Sequence, residues 1–232
     1  MPNFLRYPHT PHLAWLGDGE PRDDKVLSPA EAHDLLAGEV LVEEKIDGAN
    51  LGFSLGDDGH LRVQNRGQYL TEPFIGQFTR LSPWLVSHAD AIETALGDRN
   101  LILFGEWCAA QHSLDYDRLP DWLVAFDVYD RGTNRFWSSA RRNALARRLG
   151  LSHVPKLASG RLTLAQIRDI LMGQPSRYRH GPMEGLVIRR ETAQWCETRA
   201  KLVRADFTQG INGHWRRRPI EWNRIGQSIS ET

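Results

Sequence analysis

Residues 41–55, LVEEKIDGANLGFSL, predict two strands joined by a tight polar turn. Apolar residues at both ends of this stretch favour strands, and the pair Asp47-Gly48 favours a turn between them. A second turn at residues 57–59, Asp-Asp-Gly, has the composition of a hairpin loop. The chain is therefore expected to begin an antiparallel sheet here and to leave Lys45 where a strand ends. The strands predicted in this region are 41–44, 50–55 and 61–66.

Strands and helices are mixed along the rest of the chain. Ser28 and Glu31 form a capping box, while Ser138 or Ser139 and Thr163 are suitable caps for two further helices. Because there is no strict β-α-β alternation, the predicted fold class is α+β, with antiparallel sheets flanked by helices rather than a doubly wound parallel sheet. The capped helices end near residues 38, 149 and 172, a helix in two pieces broken at Ser82-Pro83 covers 73–96, and the further strands are 100–106, 122–129, 184–189 and 197–203.

Composition is typical of a globular protein without a uniformly charged surface. The chain has 232 residues, and 29 Lys plus Arg balance 29 Asp plus Glu. Any site for a polyanion must therefore be local. No repeat or linker is present, which predicts a single domain over residues 1–232. No apolar run has the length of a membrane helix, and no signal pattern opens the chain. Cys108 and Cys196 are expected to be reduced thiols. These features together predict a cytoplasmic location.

Five short motifs contain residues with catalytic potential. A lysine followed two residues later by Asp-Gly is common in turns and is weak evidence by itself. The other four motifs strengthen it: Glu106 ends a strand, Phe126 lies inside the next strand, and Glu184 and Lys201 belong to the last two strands. A carboxylate beside an apolar run is costly unless it is paired or binds a cation. Two such carboxylates together with two lysines therefore favour a functional site over scattered surface charges.

The order and approximate spacing of these motifs resemble those of the ATP-dependent polynucleotide ligases, which are covalent nucleotidyltransferases. Residues 44–50, EKIDGAN, followed by Asn65-Arg66-Gly67, are most similar to the RNA ligase 2-like family, whose members join RNA ends. The resemblance covers about residues 40–205. It implies a nucleotidyltransferase domain that forms lysyl-AMP from ATP, transfers AMP to a 5′-phosphate and joins that end to a 3′-hydroxyl, with Mg²⁺ or Mn²⁺ as cofactor.

The resemblance implies a role for each matching residue. Lys45 is the expected nucleophile, Lys201 the contact to the α-phosphate, and Glu184 the carboxylate that organises the metal. A free lysine is almost wholly protonated at neutral pH, so Lys201, Arg199 and the metal are expected to lower the pKa of Lys45. The remaining expected roles are ribose binding by Glu106, adenine stacking by Phe126, orientation of ribose or phosphate by Arg66, acceptance from the adenine amino group by Glu44, strand sealing by Asn50, and either orientation of Lys45 and the metal shell or shaping of the turn by Asp47.

The sequence departs from the family pattern in its last motif and after it. Arg199 stands where the family usually has lysine, and arginine does not reproduce the phosphate geometry of lysine. The residues after 203 are too few for an OB-fold or for the helical C-terminal domain of the fullest family members, so sealing is expected to be weaker or to need a partner protein.

In the tail, 206–232, contact with nucleic acid is predicted for Trp215, residues 216–218, Trp222 and Arg224, with a solvated basic face as the alternative. A second basic run, Arg141-Arg142 with Arg147-Arg148, is expected to be a solvated helix face.

The function indicated is an ATP-dependent RNA ligase used in RNA repair. Its expected substrates are 5′-phosphate and 3′-hydroxyl ends in a nicked duplex, a folded RNA or an RNA/DNA hybrid, and its expected partner is an end-healing or nucleic-acid-binding protein. A small DNA ligase and a GTP-dependent capping enzyme are alternatives, although both usually have an OB-fold. A nucleic-acid-binding accessory module without catalysis is a third alternative, which the presence of both lysines and both glutamates disfavours.

Overall fold

A computed structural model of the chain describes residues 4–18, 21, 25–97, 100–210 and 219–226. These residues form ten strands and five α-helices, the mixed α+β organisation that the sequence predicts. The strands are β1 Val40–Lys45, β2 Ala49–Leu55, β3 Leu61–Gln64, β4 Leu101–Trp107, β5 Leu123–Asp130, β6 Arg135–Phe136, β7 Ser152–His153, β8 Lys156–Gly160, β9 Gly185–Glu191 and β10 Cys196–Val203. The helices are α1 Pro29–Leu36, α2 Leu81–Leu96, α3 Ser139–Arg148, α4 Leu164–Gly173 and α5 Ala205–Gly210, and a 3₁₀ turn covers Gly76–Phe78.

The strands form two sheets, and the predicted antiparallel type is confirmed. One sheet has the strand order β10-β9-β1-β8, and the other has the order β3-β2-β4-β5-β6 with β7 beside β5. The β5–β7 pairing is parallel, but it is limited to two residue pairs, whereas the other described strand pairs are antiparallel. Although β1 and β2 follow one another in sequence, they belong to different sheets. The chain therefore crosses from one sheet to the other directly after Lys45.

Each sheet buries one face against helices. Leu35 of α1 and Ile167 of α4 share an apolar core with Val42 and Ile188 of the four-stranded sheet. Helices α2 and α3 cover the six-stranded sheet through a second core that includes Leu51, Phe53, Trp84, Leu103 and Leu145. None of the described helices has both the length and the apolar character that a membrane span requires.

Three helix starts agree with the sequence signals, and one predicted break is wrong. Ser28, Ser138 and Thr163 each accept a backbone hydrogen bond at the start of α1, α3 and α4. The expected interruption at Ser82-Pro83 is absent, because α2 is continuous and Pro83 lies in its first turn. The N–H groups of a first turn have no acceptor within the helix, so proline costs little there. Strand β8 was not expected; its short sequence KLASG is only partly apolar, and it forms by pairing with β1.

The crossing between the sheets is made by residues 46–48. Gly48 permits it, because a Cβ at this position would lie 2.6 Å from the carbonyl oxygen of Trp107 and 3.0 Å from Cγ of Glu106. Trp107 is in β4, whose backbone is paired with β2 at Ala49. The carbonyl cannot move aside without disturbing the sheet. The close approach of the two backbones therefore requires glycine at position 48.

We expect Gly48→Ala to destabilise the fold by about 1–3 kcal/mol, because overpacking against a fixed backbone costs about this much. For a chain of this size, each kcal/mol corresponds to about 2–4 °C in melting temperature. Thermal unfolding followed by circular dichroism measures the change. Gly173→Ala is the matched control, since a Cβ at Gly173 meets nothing within 4 Å and this variant is expected to melt at or slightly above the wild-type temperature. Equal melting temperatures for the two variants would contradict the steric argument.

Candidate active site

A cavity of about 340 Å³ lies where the chain crosses between the two sheets. Its wall contains residues from strands of both sheets and from the segment 4–18. Of the ten residues that the sequence places at the site, nine line this cavity, and the tenth, Glu184, contacts Lys45. The nine are Glu44, Lys45, Asp47, Asn50, Arg66, Glu106, Phe126, Arg199 and Lys201.

Lys45 is the last residue of β1 and lies among carboxylates. Its Nζ donates a hydrogen bond to Oε2 of Glu184 at 2.7 Å, and both side chains are largely buried. Burial alone would lower the pKa of Lys45, but the charges of Glu184, Glu106 and Asp47 outweigh burial and hold this pKa above its usual value. The expectation that neighbouring cations lower the pKa of Lys45 is therefore wrong for the protein's own groups.

The two glutamates nearest Lys45 have raised pKa values. Burial raises the pKa of Glu106 to about 8, and the attraction of Lys45 opposes this only in part. Burial raises the pKa of Glu184 to about 7 against the same opposing charge, and Asp47 raises both values further. Glu106 also accepts a hydrogen bond from the N–H of Gly48 at 3.0 Å. Both glutamates therefore ionise at a higher pH than exposed carboxylates do.

Backbone groups of the loop between β4 and β5, residues 108–122, hold the turn that contains Asp47. Oδ2 of Asp47 accepts hydrogen bonds from the N–H of Ser113 at 2.7 Å and the N–H of Leu114 at 3.0 Å. The N–H of Asp47 donates to Oη of Tyr116 at 2.8 Å. Asp47 thus shapes the turn, which is one of the two roles considered for it, while it also lines the cavity.

Aromatic rings and a buried carboxylate form another part of the cavity wall. Phe126 is half-buried, and its ring meets that of Tyr7 edge to face with the centroids 5.2 Å apart. Glu44 is buried, which raises its pKa, and its two oxygens accept hydrogen bonds from Oγ of Ser176 and the N–H of Arg177. The wall therefore offers a flat apolar surface and a carboxylate in a fixed orientation.

Three polar residues occupy further positions around the cavity. Oδ1 of Asn50 is buried without a hydrogen-bond partner in the part of the chain that the structure describes. Such an oxygen is costly unless a ligand or water supplies a donor, so it indicates a binding site. Arg66 is exposed at the cavity. The backbone of Lys201 is fixed by hydrogen bonds to Pro11 and Leu13, so that the segment 4–18 helps to place it.

Arg199 lines the cavity, but its guanidinium is paired within the protein. It lies 3.1 Å from Oδ2 of Asp127 and stacks 4.0 Å from the ring centroid of Phe136. Asp127 is buried, pairs with Arg189 at 2.8 Å and accepts a hydrogen bond from Tyr7. Burial would raise the pKa of Asp127, but Arg189 and Arg199 more than compensate and lower it. Arg199 thus belongs to an ionic network in the cavity wall.

The expectation that Arg142 lies on a solvated face is wrong. Arg142 is fully buried, pairs with the carboxylate of Glu43 and donates to the carbonyl oxygen of Phe126 at 2.6 Å. Arg147 and Arg148 of the same run are exposed, as expected. Sequence reasoning missed the buried pair because ionic partners on distant elements leave no periodic pattern. The available signal is Glu43 directly after the apolar run Val40-Leu41-Val42 of β1, since a buried charge requires a partner.

The described residues contain no group of three His, Cys, Asp or Glu side chains that would hold a metal ion by themselves. Mg²⁺ is commonly bound by one or two carboxylates together with substrate phosphates and water. Glu184 lies beside Nζ of Lys45, and the charge of Asp47 is close enough to raise the pKa of Glu184, so this carboxylate has the oxygen chemistry for such a shared site.

Comparison with known proteins identifies the family. Residues 38–203 match the family model described as RNA ligase, and the chain belongs to the RNA ligase family. The matched residues include all ten residues that the sequence places at the site. Among curated proteins, none matches the chain.

Solved structures of an RNA ligase from Naegleria gruberi have a similar fold. The structure with pyrophosphate is 21% identical, has a TM-score of 0.60, and covers 76% of this chain and 52% of that chain. A variant with ATP and manganese is 20% identical with a TM-score of 0.67 and coverages of 90% and 59%, and another is 19% identical with a TM-score of 0.62 and coverages of 87% and 63%. The chain thus spans about half to three-fifths of the length of these structures.

The raised pKa of Glu106 predicts a pH dependence of stability. Between about pH 4.5, where the unfolded chain ionises this group, and about pH 8, where the folded protein does, the unfolded state binds fewer protons. Stability therefore falls as pH rises through this window. We expect stability to fall less with pH in Glu106→Gln, because its amide cannot ionise. Glu39→Gln changes an exposed carboxylate, and its stability is expected to fall as much with pH as that of the wild type. Calorimetric melting temperatures across the window check this, and parallel curves for the wild type and Glu106→Gln would contradict it.

Proposed function

We propose that this protein is an ATP-dependent RNA ligase that forms lysyl-AMP on Lys45. The observation that carries the proposal is the Nζ of Lys45, held 2.7 Å from Glu184 at a cavity that also contains Phe126, Glu106 and Lys201. Phosphoryl transfer needs a positioned nucleophile and nearby positive charge, and this cavity supplies a lysine for each purpose. Membership of the RNA ligase family supports the same reaction, as do the ATP and manganese in related structures.

In the first step, the lone pair of Nζ attacks the α-phosphorus of ATP. An N–P bond forms, the bond to the bridging oxygen of pyrophosphate breaks, and its electron pair leaves with pyrophosphate. The proton lost from Nζ passes to water or to a carboxylate such as Glu184. Because the carboxylates of the site hold this proton, positive charge that accompanies the substrate must oppose them. A Mg²⁺ or Mn²⁺ held by Glu184 together with the phosphates would supply such charge and neutralise phosphate oxygens.

The next two steps transfer the activated group and join the ends. An oxygen of the RNA 5′-phosphate attacks the phosphorus of lysyl-AMP, which breaks the N–P bond and returns the electron pair to Lys45. The 3′-hydroxyl of the second end then attacks the 5′-phosphorus, its proton is lost to water, and AMP leaves. The phosphoramide of a lysine suits this sequence because its nitrogen can be reprotonated as AMP departs.

The geometry supports a distinct role for most residues of the site. Phe126 presents an aromatic face for adenine, and Glu44 is oriented to accept from its amino group. Arg199 acts through its pairing with Asp127, which places its charge in the cavity wall rather than on a phosphate. The other roles proposed are α-phosphate contact for Lys201, ribose binding for Glu106, ribose or phosphate orientation for Arg66, strand sealing for Asn50, orientation of the turn for Asp47 and metal organisation for Glu184.

We also propose a cellular setting for this activity. The motif core at about 40–205 would act as one nucleotidyltransferase domain in the cytoplasm, where ATP is available and free thiols such as Cys108 and Cys196 persist. The substrate would be a nicked duplex, a folded RNA or an RNA/DNA hybrid during RNA repair. We propose an end-healing or nucleic-acid-binding protein as the partner of this protein, since such a protein would prepare or hold the ends that a ligase joins.

We expect the purified protein to gain the mass of one AMP when it is incubated with ATP and a divalent metal, and Lys45→Ala to gain none. Intact-mass spectrometry measures the adduct. Lys25→Ala is the matched control, because Lys25 is an exposed lysine paired with Glu31 and its loss leaves the cavity unchanged. Labelling by GTP in place of ATP would contradict the proposal and favour a capping enzyme. A folded wild-type protein that remains unlabelled would favour the accessory module.

We expect the protein to seal a nicked RNA duplex at least about tenfold faster than an all-DNA duplex of the same sequence. RNA ends differ from DNA ends by the 2′-hydroxyl and by A-form geometry, which proteins recognise. Sealing is measured by gel electrophoresis with end-labelled strands, and Lys45→Ala serves as the control. Equal rates on the two duplexes would favour a DNA ligase.

A further inference from the structure

Residues 219–226, called here the bracing segment, fold back onto the loop 108–122. Backbone hydrogen bonds join the two along their length, and Trp222 packs beneath Arg80, whose guanidinium lies 4.3 Å from the Trp222 ring centroid. Within the predicted nucleic-acid-binding tail, Trp222 and the backbone of Arg224 therefore contact the protein itself, the side chain of Arg224 is exposed, and residues 215–218 lie outside the described residues. In the backbone hydrogen bonds, the N–H groups of Gln111 and Leu119 in the loop donate to the carbonyl oxygens of Glu221 and Arg224. In the other direction, the N–H groups of Asn223, Arg224 and Gly226 donate to the carbonyl oxygens of Ala109, Tyr116 and Leu119.

Asn223 is the centre of this contact. It is 2% exposed, and its side chain makes three hydrogen bonds to the loop. Oδ1 accepts from the N–H of Tyr116 at 2.7 Å, and Nδ2 donates to the carbonyl oxygens of Cys108 at 2.8 Å and Ala110 at 3.2 Å. A buried amide in an irregular segment is favourable only when its donors and acceptors are satisfied, and those of Asn223 are directed at one loop.

The opposite side of the same loop holds the turn beside Lys45. Tyr116, whose N–H is bound by Asn223, accepts a hydrogen bond from the N–H of Asp47 through its own hydroxyl. Ser113 and Leu114 bind the carboxylate of Asp47. The loop has neither helix nor strand between residues 108 and 122, so these tertiary contacts determine its shape. A continuous set of contacts therefore leads from the bracing segment to the turn that follows the nucleophile.

We propose that Asn223 is a positioning residue for the adenylylation of Lys45, and that it acts through the loop 108–122 without contacting a reacting atom. This inference rests on the proposed function. Asn223 fixes Tyr116 and the loop, the loop fixes Asp47, and Asp47 fixes the turn between the sheets. The sequence gives no sign of this role, because an asparagine in an irregular segment has no characteristic spacing.

The contacts also indicate which kinetic quantity depends on Asn223. The loop binds Asp47 directly, whereas it reaches Glu44 only indirectly, through Tyr178, which follows Ser176 and Arg177 in the chain. Phe126 packs against the same apolar cluster as the loop, but its backbone is fixed by strand pairing in the six-stranded sheet. The expected adenine contacts therefore depend less on the bracing segment than the turn after Lys45 does. Loss of Asn223 displaces the nucleophile relative to the phosphate while nucleotide binding persists. A displacement of this kind commonly costs about 10- to 100-fold in rate.

The test is single-turnover adenylylation of the full chain by ATP, with the maximal rate constant and the half-saturating ATP concentration determined separately. We expect Asn223→Ala to lower the rate constant about 10- to 100-fold and to change the half-saturating concentration less than threefold, on the order expected for misplacement. Glu221→Ala is the matched control, because this exposed side chain belongs to the same segment and contributes to the loop only through its backbone. It is expected to behave as the wild type.

Asn223→Ala is also combined with Asp47→Ala. If Asn223 acts through Asp47, Asn223→Ala lowers the rate constant by a smaller factor in the Asp47→Ala protein than in the wild-type protein. A general loss of folded protein would lower the rate constant by the same factor in both proteins. Tyr116→Phe removes the hydroxyl that binds Asp47 and leaves the backbone contact to Asn223, so it tests the same route if Asn223→Ala does not fold. It is expected to lower the rate constant as well.

Several outcomes would overturn the inference while the proposed function stands. One is a wild-type rate constant in folded Asn223→Ala, and another is an equal decrease in rate constant on adding Asn223→Ala to the wild type and to Asp47→Ala. Where Asn223→Ala does not fold, the third is a wild-type rate constant in Tyr116→Phe. Failure of the wild-type protein to accept AMP would instead overturn the proposed function itself.

Discussion

The close approach of two backbones at Gly48 is the constraint on which the site depends. Because no Cβ separates residue 48 from the carbonyl of Trp107, the chain crosses between the sheets in residues 46–48. This short connection brings the end of β1, where Lys45 lies, close to the end of β4, where Glu106 lies. The four-stranded sheet contributes both lysines, and the six-stranded sheet contributes Phe126. A longer connection would leave each sheet intact and separate the groups that must act together.

Buried ion pairs join the same two sheets beside the cavity. Arg189 and Arg199 extend from β9 and β10 to Asp127 on β5, and Glu43 on β1 pairs with Arg142 on α3. Apolar side chains would stabilise the junction as well, but they would pack into the space that a ligand needs. The ion pairs instead connect the sheets through side chains that line the cavity, namely Asp127, Arg189 and Arg199. Removing one partner leaves an uncompensated buried charge, which typically costs about 3–5 kcal/mol.

The sequence predicts features that depend on neighbouring residues and misses those that depend on distant partners. Strands β1 and β2 and the caps at Ser28 and Thr163 follow from local patterns, and the predicted site residues come together because each lies in a short motif. Arg142 was placed on the surface because an arginine in a helix is usually solvated, and its burial depends on Glu43, which is 99 residues away. The raised pKa of Lys45 is also beyond sequence reasoning, because the carboxylates that raise it most, Glu184 and Glu106, come from distant parts of the chain and are brought together where the sheets meet.

The charge around Lys45 also explains why a cation and a nucleotide suit this cavity together. Glu184, Glu106 and Asp47 hold the proton on Nζ, and a triphosphate approaching these carboxylates alone would meet like charge. A cation bound with the phosphates would oppose both effects, because its charge would attract the carboxylates and weaken their hold on the proton of Lys45. With pKa values of about 7 and 8, Glu184 and Glu106 respond to such a charge near neutral pH. In the proposed reaction, the carboxylates that keep Lys45 protonated would thereby make the loss of this proton depend on the arrival of the nucleotide and its cation.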